Sequence, residues 1–262
     1  MILEDPLVLR TDRADGLTTL TLNRPGQFNS LSRDMLTAIR AELDDIAASE
    51  AVRVVVIAGA GKAFCAGHDL KEMRANHDKG FMQALFRQCG DLMLTITRMP
   101  QPVIARVHGI ATAAGCQLVS MCDLAAAADV ARFAVSGINV GLFCSTPAVG
   151  LARNLGRKAA LEMLLTGDFI DALEAKSKGL VNRVVPADAL DAEIERLVQS
   201  ILAKSAVAVR MGKGMFYKQL EMGLDAAYDY ASEVMACNMM SDDAGEGIDA
   251  FMQKRKPDYK GR

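Results

Sequence analysis

The chain has 262 residues, 51% of them hydrophobic and 24% charged, with a formal net charge of −2. That length supports one sizeable core, or one domain with a helical appendage. The near-neutral charge gives no electrostatic case for nucleic acid or an anionic membrane, and no run approaches the ~18 apolar residues of a membrane span.

The opening "MILEDPLVLRTDRADG" carries Glu4, Asp5 and Asp12 where a secretory signal would need a basic flank and an apolar core. A cytoplasmic protein is expected, or a mitochondrial-matrix one if a presequence has been removed. "LVLRTDRADGLTTLTLNR" alternates on both sides of Asp15-Gly16 and predicts a hairpin. Ser32 then reads as the N-cap of a helix with Met35, Ile39, Leu43 and Ile46 on one face. "VRVVVIAGAG" and "QPVIARVHG" are short apolar runs ending in Gly, the pattern of strands buried on both faces. "DLAAAAD" and "RFAV" predict shorter strands. This alternation through about residue 185 argues an α/β layered core, residues 1–187. Beyond "GLVNRVVP", residues 188–262 form a helical region. "ALDAEIERLVQSILAK", "AVAVRMGKGMFYKQLEM" and "LDAAYDYASEVMACNMM" predict three helices, followed by "SDDAGEGIDAFMQKRKP". Its many methionines read as adaptable packing, and helices this apolar beside a finished core suggest a neighbouring subunit. The six cysteines lack CxxC or Cys/His spacing; Cys65 and Cys116 in particular read as small buried hydrophobes.

Two segments share one architecture. In "GAGKAFCAGHDLKEM" and in "VHGIATAAGCQLVSM" a strand ends and small residues lead toward a helix. Such turns leave backbone N–H groups without intrahelical partners. Spacing alone leaves two uses open: close packing of backbone on backbone, or two donors aimed at one oxyanion and backed by a helix N-terminus.

"AFCAGHDLKEM", "HGIATAAGCQLVSMCDLAAAA", "TGDFIDALEAKSKGLVNRVVP" and "DDAGEGIDAFMQKRKP", in this order, resemble the enoyl-CoA hydratase/isomerase (crotonase) family from about Leu7 to Pro257. The resemblance implies a spiral of repeated ββα turns followed by a helical trimerisation region. It also implies an acyl-CoA or enoyl-CoA substrate whose thioester enolate is held by two backbone N–H groups. Those donors fall on His68, in "AGH", and Ala114, in "AAG", where most members have Gly. Each is worth roughly 3–4 kcal/mol of transition-state stabilisation. The family also places the segment Ala66, His68, Asp69, Leu70 and Lys71 against CoA, although Lys71 and Glu72 otherwise read as a solvated helix face. CoA would be part of the substrate, with no separate cofactor, metal, nucleic acid or membrane partner, and the assembly a homotrimer or a dimer of trimers.

The acid and base are what this chain lacks. Hydratases of the family place one Glu three residues after the middle small residue and a second about twenty further on. Here those positions are Gln117 and Gly137, and neither exchanges a proton near neutral pH. The Asp of some isomerases corresponds to Ser145. Ordinary hydration is therefore expected to be weak or absent. "AGHD" is shared with decarboxylase-like members, which need no base to form the enolate, although their pocket Tyr corresponds to Cys144. The remaining readings are decarboxylation of a malonyl-type thioester and non-catalytic acyl-CoA binding. The His68 imidazole is expected to face solvent or cap a helix. Cys144 is expected in a polar loop, His108 at a structural strand end, and His77 in a polar loop.

Overall fold

The computed structural model describes residues 5–262; residues 1–4, and with them Glu4 of the acidic opening, lie outside the described residues. The expected hairpin forms from β1 (Val8–Asp12) and β2 (Leu17–Leu22), with Gly16 at φ +98 in its turn. Ser32 caps α1 (Arg33–Ala48) by accepting from the Met35 N–H, and Met35, Ile39, Leu43 and Ile46 are buried.

Each following repeat lays one strand in a larger sheet and the next in a smaller one. β3 (Val54–Gly59) and β4 (Ala63–Cys65) lead to α2 (Leu70–Ala75) and α3 (Lys79–Arg98). β5 (Val103–Val107) and β6 (Ile110–Thr112) lead to α4 (Ala114–Met121). β7 (Leu124–Ala128) and β8 (Arg132–Ala134) lead to α5 (Ser145–Asn154) and α6 (Arg157–Thr166). β9 (Ile170–Asp171), α7 (Ala172–Ser177) and β10 (Arg183–Val185) end the series. The six-stranded sheet runs β1-β2-β3-β5-β7-β10 and the four-stranded sheet β4-β6-β8-β9. All pairings are parallel except the hairpin and β8 with β9. The chain is a spiral of ββα repeats, as the resemblance implied.

Burial on both faces explains the continuous apolar strands. In β3, Val55 and Ile57 enter the main core with α1, α3 and α4, while Val54 and Val56 meet Leu190, Ile194 and Val198 of α8 (Leu190–Leu202) on the other face. An element absent from the sequence-based expectations is α3. Asp78 caps it by accepting from the Phe81 N–H, and Leu85, Cys89, Leu92 and Ile96 form its buried stripe. His77 is exposed in the joint before it.

α9 (Ala206–Gln219), α10 (Leu224–Met239) and α11 (Asp242–Met252) complete the C-terminal region, the last being a fourth helix in a segment left unassigned above. Lys213 fastens α9 to the core. Its ammonium donates to the carbonyls of Ile96 and Gln101 and to Asp123, which also accepts from the Tyr217 hydroxyl and the Val103 N–H. The methionines of this region are only partly packed within the chain: Met235 and Met240 are 70% and 84% exposed. No helix among the described residues is long and apolar enough to cross a membrane.

Candidate oxyanion site

The two small-residue turns lie directly against each other. Gly67 sits at φ +90, and a Cβ on it would stand 2.8 Å from the Ala113 Cβ and 3.1 Å from the Ala114 nitrogen. A Cβ on Gly115 would stand 2.1 Å from the Cys65 carbonyl oxygen, and one on Gly109 would be 2.4 Å from that of Lys62. The backbone-on-backbone packing left open by the sequence is therefore present. Gly109 and Gly115 let successive repeats approach backbone to backbone, and the same approach brings the His68 and Ala114 peptides together.

Each of those amides lacks an acceptor among the described residues. Around His68 the chain forms a parallel bridge with Leu31: the Leu31 N–H donates to Gly67 O at 2.7 Å, and the Asp69 N–H to Leu31 O at 3.3 Å. In such a bridge the groups of the flanking residues face the partner, so the N–H of His68 itself faces away from it. Ala114 is the first residue of α4, where no intrahelical acceptor exists and no side chain caps. Only this second donor is backed by a helix N-terminus. α2 begins two residues after His68, and its free amides at Lys71 and Glu72 are taken by the Asp69 carboxylate.

Ala113 holds φ 51, ψ −121, a conformation that suits glycine. Its N–H donates to Ala134 O at 3.0 Å, which locks the turn that presents Ala114. Backbone held in such a sparsely populated region costs about 1–3 kcal/mol and persists where surrounding structure enforces it.

Gln117 is buried one turn into α4; its Oε1 accepts weakly from the Cys89 thiol at 3.9 Å. Gly137 lies beside the Ala113 turn, because Ser136 is hydrogen bonded to Thr112 at 2.8 Å. A Cβ on Gly137 would stand 2.5 Å from Leu142 O and 2.7 Å from the Cys144 sulfur. Cys144 is thus a buried residue at the N-cap of α5, packed on Gly137, and not the polar loop residue expected. Burial pushes its thiol up, against an opposing hydrogen bond from the Gly137 N–H. Ser145 is exposed, with its hydroxyl on Phe143 O at 3.4 Å.

The expected CoA-facing segment divides. Ala66 donates its N–H to Phe28 O, while Leu70 and Lys71 are exposed. Asp69 is committed to capping α2 and to Arg24 at 3.2 Å. Glu72 departs from a purely solvated face, since it accepts from the Arg33 N–H at 3.1 Å. His108 is structural as expected, bonded to Gly61 O at 2.9 Å. Cys65 and Cys116 are buried, and desolvation pushes each thiol up to about 12.

The His68 imidazole neither faces solvent nor caps a helix. Its Nδ1 meets Leu31 O at 3.3 Å, and its ring meets Phe86 edge-on with centroids 5.5 Å apart. Leu31 and Asn29 are site-supporting residues that sequence reasoning passed over. Asn29, in a left-handed conformation at φ 55, is fixed by bonds to Arg24 N and to the carbonyls of Ala60, Ala63 and Phe64. The available signal was Asn after "RPGQF", a residue that tolerates this conformation and bonds locally.

The ββα spiral is the fold of the crotonase class of protein. The chain belongs to the enoyl-CoA hydratase/isomerase family, whose sequence model matches residues 12–262. It is similar to the crystal structure of an enoyl-CoA hydratase from Mycobacterium smegmatis, with 59% identity, a TM-score of 0.96, and coverage of 97% of this chain and 99% of that one. The crystal structure of human enoyl-CoA hydratase domain-containing protein 3 is 43% identical, with a TM-score of 0.93 and coverage of 97% and 100%. The mouse protein of that name, described as mitochondrial, is 45% identical over 253 residues, spanning 97% of this chain and 84% of the mouse protein.

Proposed function

We propose that this protein binds acyl- or enoyl-CoA thioesters and polarises the thioester carbonyl between the His68 and Ala114 amides, without the two-carboxylate machinery of ordinary hydration. The observation that carries the reading is the pair of acceptor-free amides on turns that pack against each other at Gly67. Two preorganised N–H donors stabilise charge developing on the oxygen as an enolate forms. CoA enters as part of the substrate and no other cofactor is invoked. The Ala114 methyl narrows the space beside the thioester.

A second reading, decarboxylation of a malonyl-type thioester, is favoured by the uncharged character of Gln117, Gly137 and Cys144. In that reaction the bond from Cα to the carboxylate breaks and carbon dioxide leaves. The electron pair passes to the enolate held by the two amides, and Cα then takes a proton from water. No protein base is required at any step.

The exposed apolar side chains of α10 and α11, among them Tyr228, Met235, Met239 and Phe251, support assembly as a homotrimer or a dimer of trimers through residues 188–262. A mitochondrial setting is supported by the name of the mouse relative, which is described as mitochondrial.

The test is crotonyl-CoA hydration, followed by loss of enoyl absorbance, beside carbon dioxide release from methylmalonyl-CoA. Weak hydration with measurable decarboxylation supports the second reading, and binding without either reaction supports a non-catalytic acyl-CoA binder. Rapid hydration abolished by Ala114→Pro would keep the oxyanion hole and overturn the loss of hydratase chemistry. Failure to bind either thioester would overturn the proposal as a whole.

A further inference from the structure

His68 carries a side chain that the proposed reaction does not use, and it is unusually placed. Leu31 O is a carbonyl and only accepts, so the Nδ1 that meets it at 3.3 Å carries the ring proton. That fixes the tautomer and leaves Nε2 a bare lone pair. Nε2 is buried and has no partner among the described residues, with the Phe86 ring edge-on beside the imidazole. An unpartnered buried acceptor is destabilising, and a leucine or phenylalanine would avoid it. Neither could donate to Leu31.

Leu31 therefore grips the first donor peptide at three points. It donates from its N–H to Gly67 O, and its carbonyl oxygen accepts both the Asp69 N–H and the His68 Nδ1–H. The first two bonds set the register of the Gly67–Asp69 segment. The third ties the side chain of the donor residue itself to the same carbonyl, which restrains rotation of the peptide whose N–H must face the thioester oxygen. Leu31 is in turn held by its place between the Asn29-anchored loop and the capped start of α1. Gly67, at φ +90, supplies freedom to this segment, so a restraint on its far side has a specific use.

Resting on the two-amide role proposed above, we infer that the His68 imidazole is a positioning residue: its Nδ1–H bond to Leu31 O aims the His68 backbone amide at the thioester oxygen. The ring does not exchange a proton with substrate. A displacement of about 1 Å at a catalytic group costs up to about a hundredfold, which sets the scale for losing the restraint.

The test uses acetoacetyl-CoA, whose enolate has its own ultraviolet band, and reads the enolised fraction of the bound ligand against pH. An oxyanion hole favours the enolate, so the wild-type protein should lower the pH at which the bound ligand enolises. His68→Leu, which removes both ring nitrogens, should weaken bound enolisation about ten- to a hundredfold. His68→Asn, whose amide nitrogen occupies the place of Nδ1 and still donates to Leu31 O, should recover most of it. Enolisation is read with each variant saturated by acetoacetyl-CoA, which separates it from any change in affinity, and thermal melts should show both folded. Equal enolisation in wild type and His68→Leu would overturn the inference, as would equal losses in the Leu and Asn variants, which would point to Nε2. Absence of any enolate shift in the wild type would instead overturn the two-amide reading beneath it.

Discussion

The sulfur of Cys144 stands 2.7 Å from the point where a Cβ on Gly137 would project. The two residues are complementary in volume: the thiol fills space that a side chain at 137 would need, and the Leu142 carbonyl closes the rest at 2.5 Å. A carboxylate cannot be hung from position 137 without moving backbone, so packing as well as residue identity keeps an acid or base from that position.

Restoring one carboxylate should therefore restore little. Gln117→Glu alone should raise crotonyl-CoA hydration less than about tenfold, since a missing general acid or base is worth about a hundred- to ten-thousand-fold. Adding Gly137→Glu should destabilise the protein, and Cys144→Gly should relieve only part of that loss, because the Leu142 carbonyl still blocks the new Cβ. Turnover at the level of an ordinary hydratase in the Gln117→Glu protein would contradict this account of the site.

Ala113 offers a test of strain. At φ 51, ψ −121 its Cβ is poorly tolerated, and Ala113→Gly should raise stability by about 1 kcal/mol. For a chain of this size that corresponds to a melting temperature higher by about 2–4 °C. A lower melting temperature would mean that contacts of the Ala113 methyl, which packs on the bare face of Gly67, outweigh the backbone relief.

The Lys213–Asp123 pair is largely buried and fully partnered, with desolvation holding the Lys213 ammonium below its usual range. Lys213→Met leaves the Ile96 and Gln101 carbonyls and one Asp123 oxygen short of a donor. Breaking a buried pair on one side costs about 3–5 kcal/mol. Denaturant unfolding should show a loss of that size, and Asp123→Asn combined with Lys213→Met should cost less than the sum of the two. Strict additivity would mean that the network does not act as a unit.

Much of the architecture was legible because local signals agreed. Asp15-Gly16, the Ser32 cap and the apolar runs ending in Gly each name an element without reference to the rest of the chain. The two donor turns were legible as a pair through the repeated strand, small-residue turn and helix pattern. What sequence could not supply were relationships across the fold. The grip of Leu31 on His68 spans 37 residues, and nothing local in "NSLS" announces it. The packing of Cys144 on Gly137 depends on a one-turn 3-10 segment, Ser136–Val140, which folds the chain back on itself. α3 is marked by Asp78 and the Leu85, Cys89, Leu92, Ile96 spacing, but Gly80 and Gly90 and the few aliphatics at its start blur the period.

Stability should fall on mild acidification. Burial lowers the folded-state pKa of His68, opposed by its Leu31 bond, and that of His108, opposed by its bond to Gly61, with Arg106 lowering it and Asp191 raising it. The unfolded chain therefore binds protons at these histidines first, near 6.5. Their contribution is fully present above that pH and is lost as pH falls toward the folded values. The slope is at most about 1.4 kcal/mol per pH unit for each histidine. Urea unfolding between pH 7.5 and pH 5 should show this decline, before the carboxylates titrate, and His108→Gln should reduce it. Stability that stays flat across the same range would contradict the desolvation of both rings.

The most direct measurement of the central claim is the carbonyl stretch of crotonyl-CoA labelled with carbon-13 at the thioester carbon, recorded free and bound by difference infrared spectroscopy. Two amides aimed at the oxygen should lower the bound frequency, and Ala114→Pro, which removes one N–H at a helix position that tolerates proline, should return it most of the way toward the free value. A bound frequency equal to that of free crotonyl-CoA in the wild-type protein, at saturation, would contradict an oxyanion hole at His68 and Ala114.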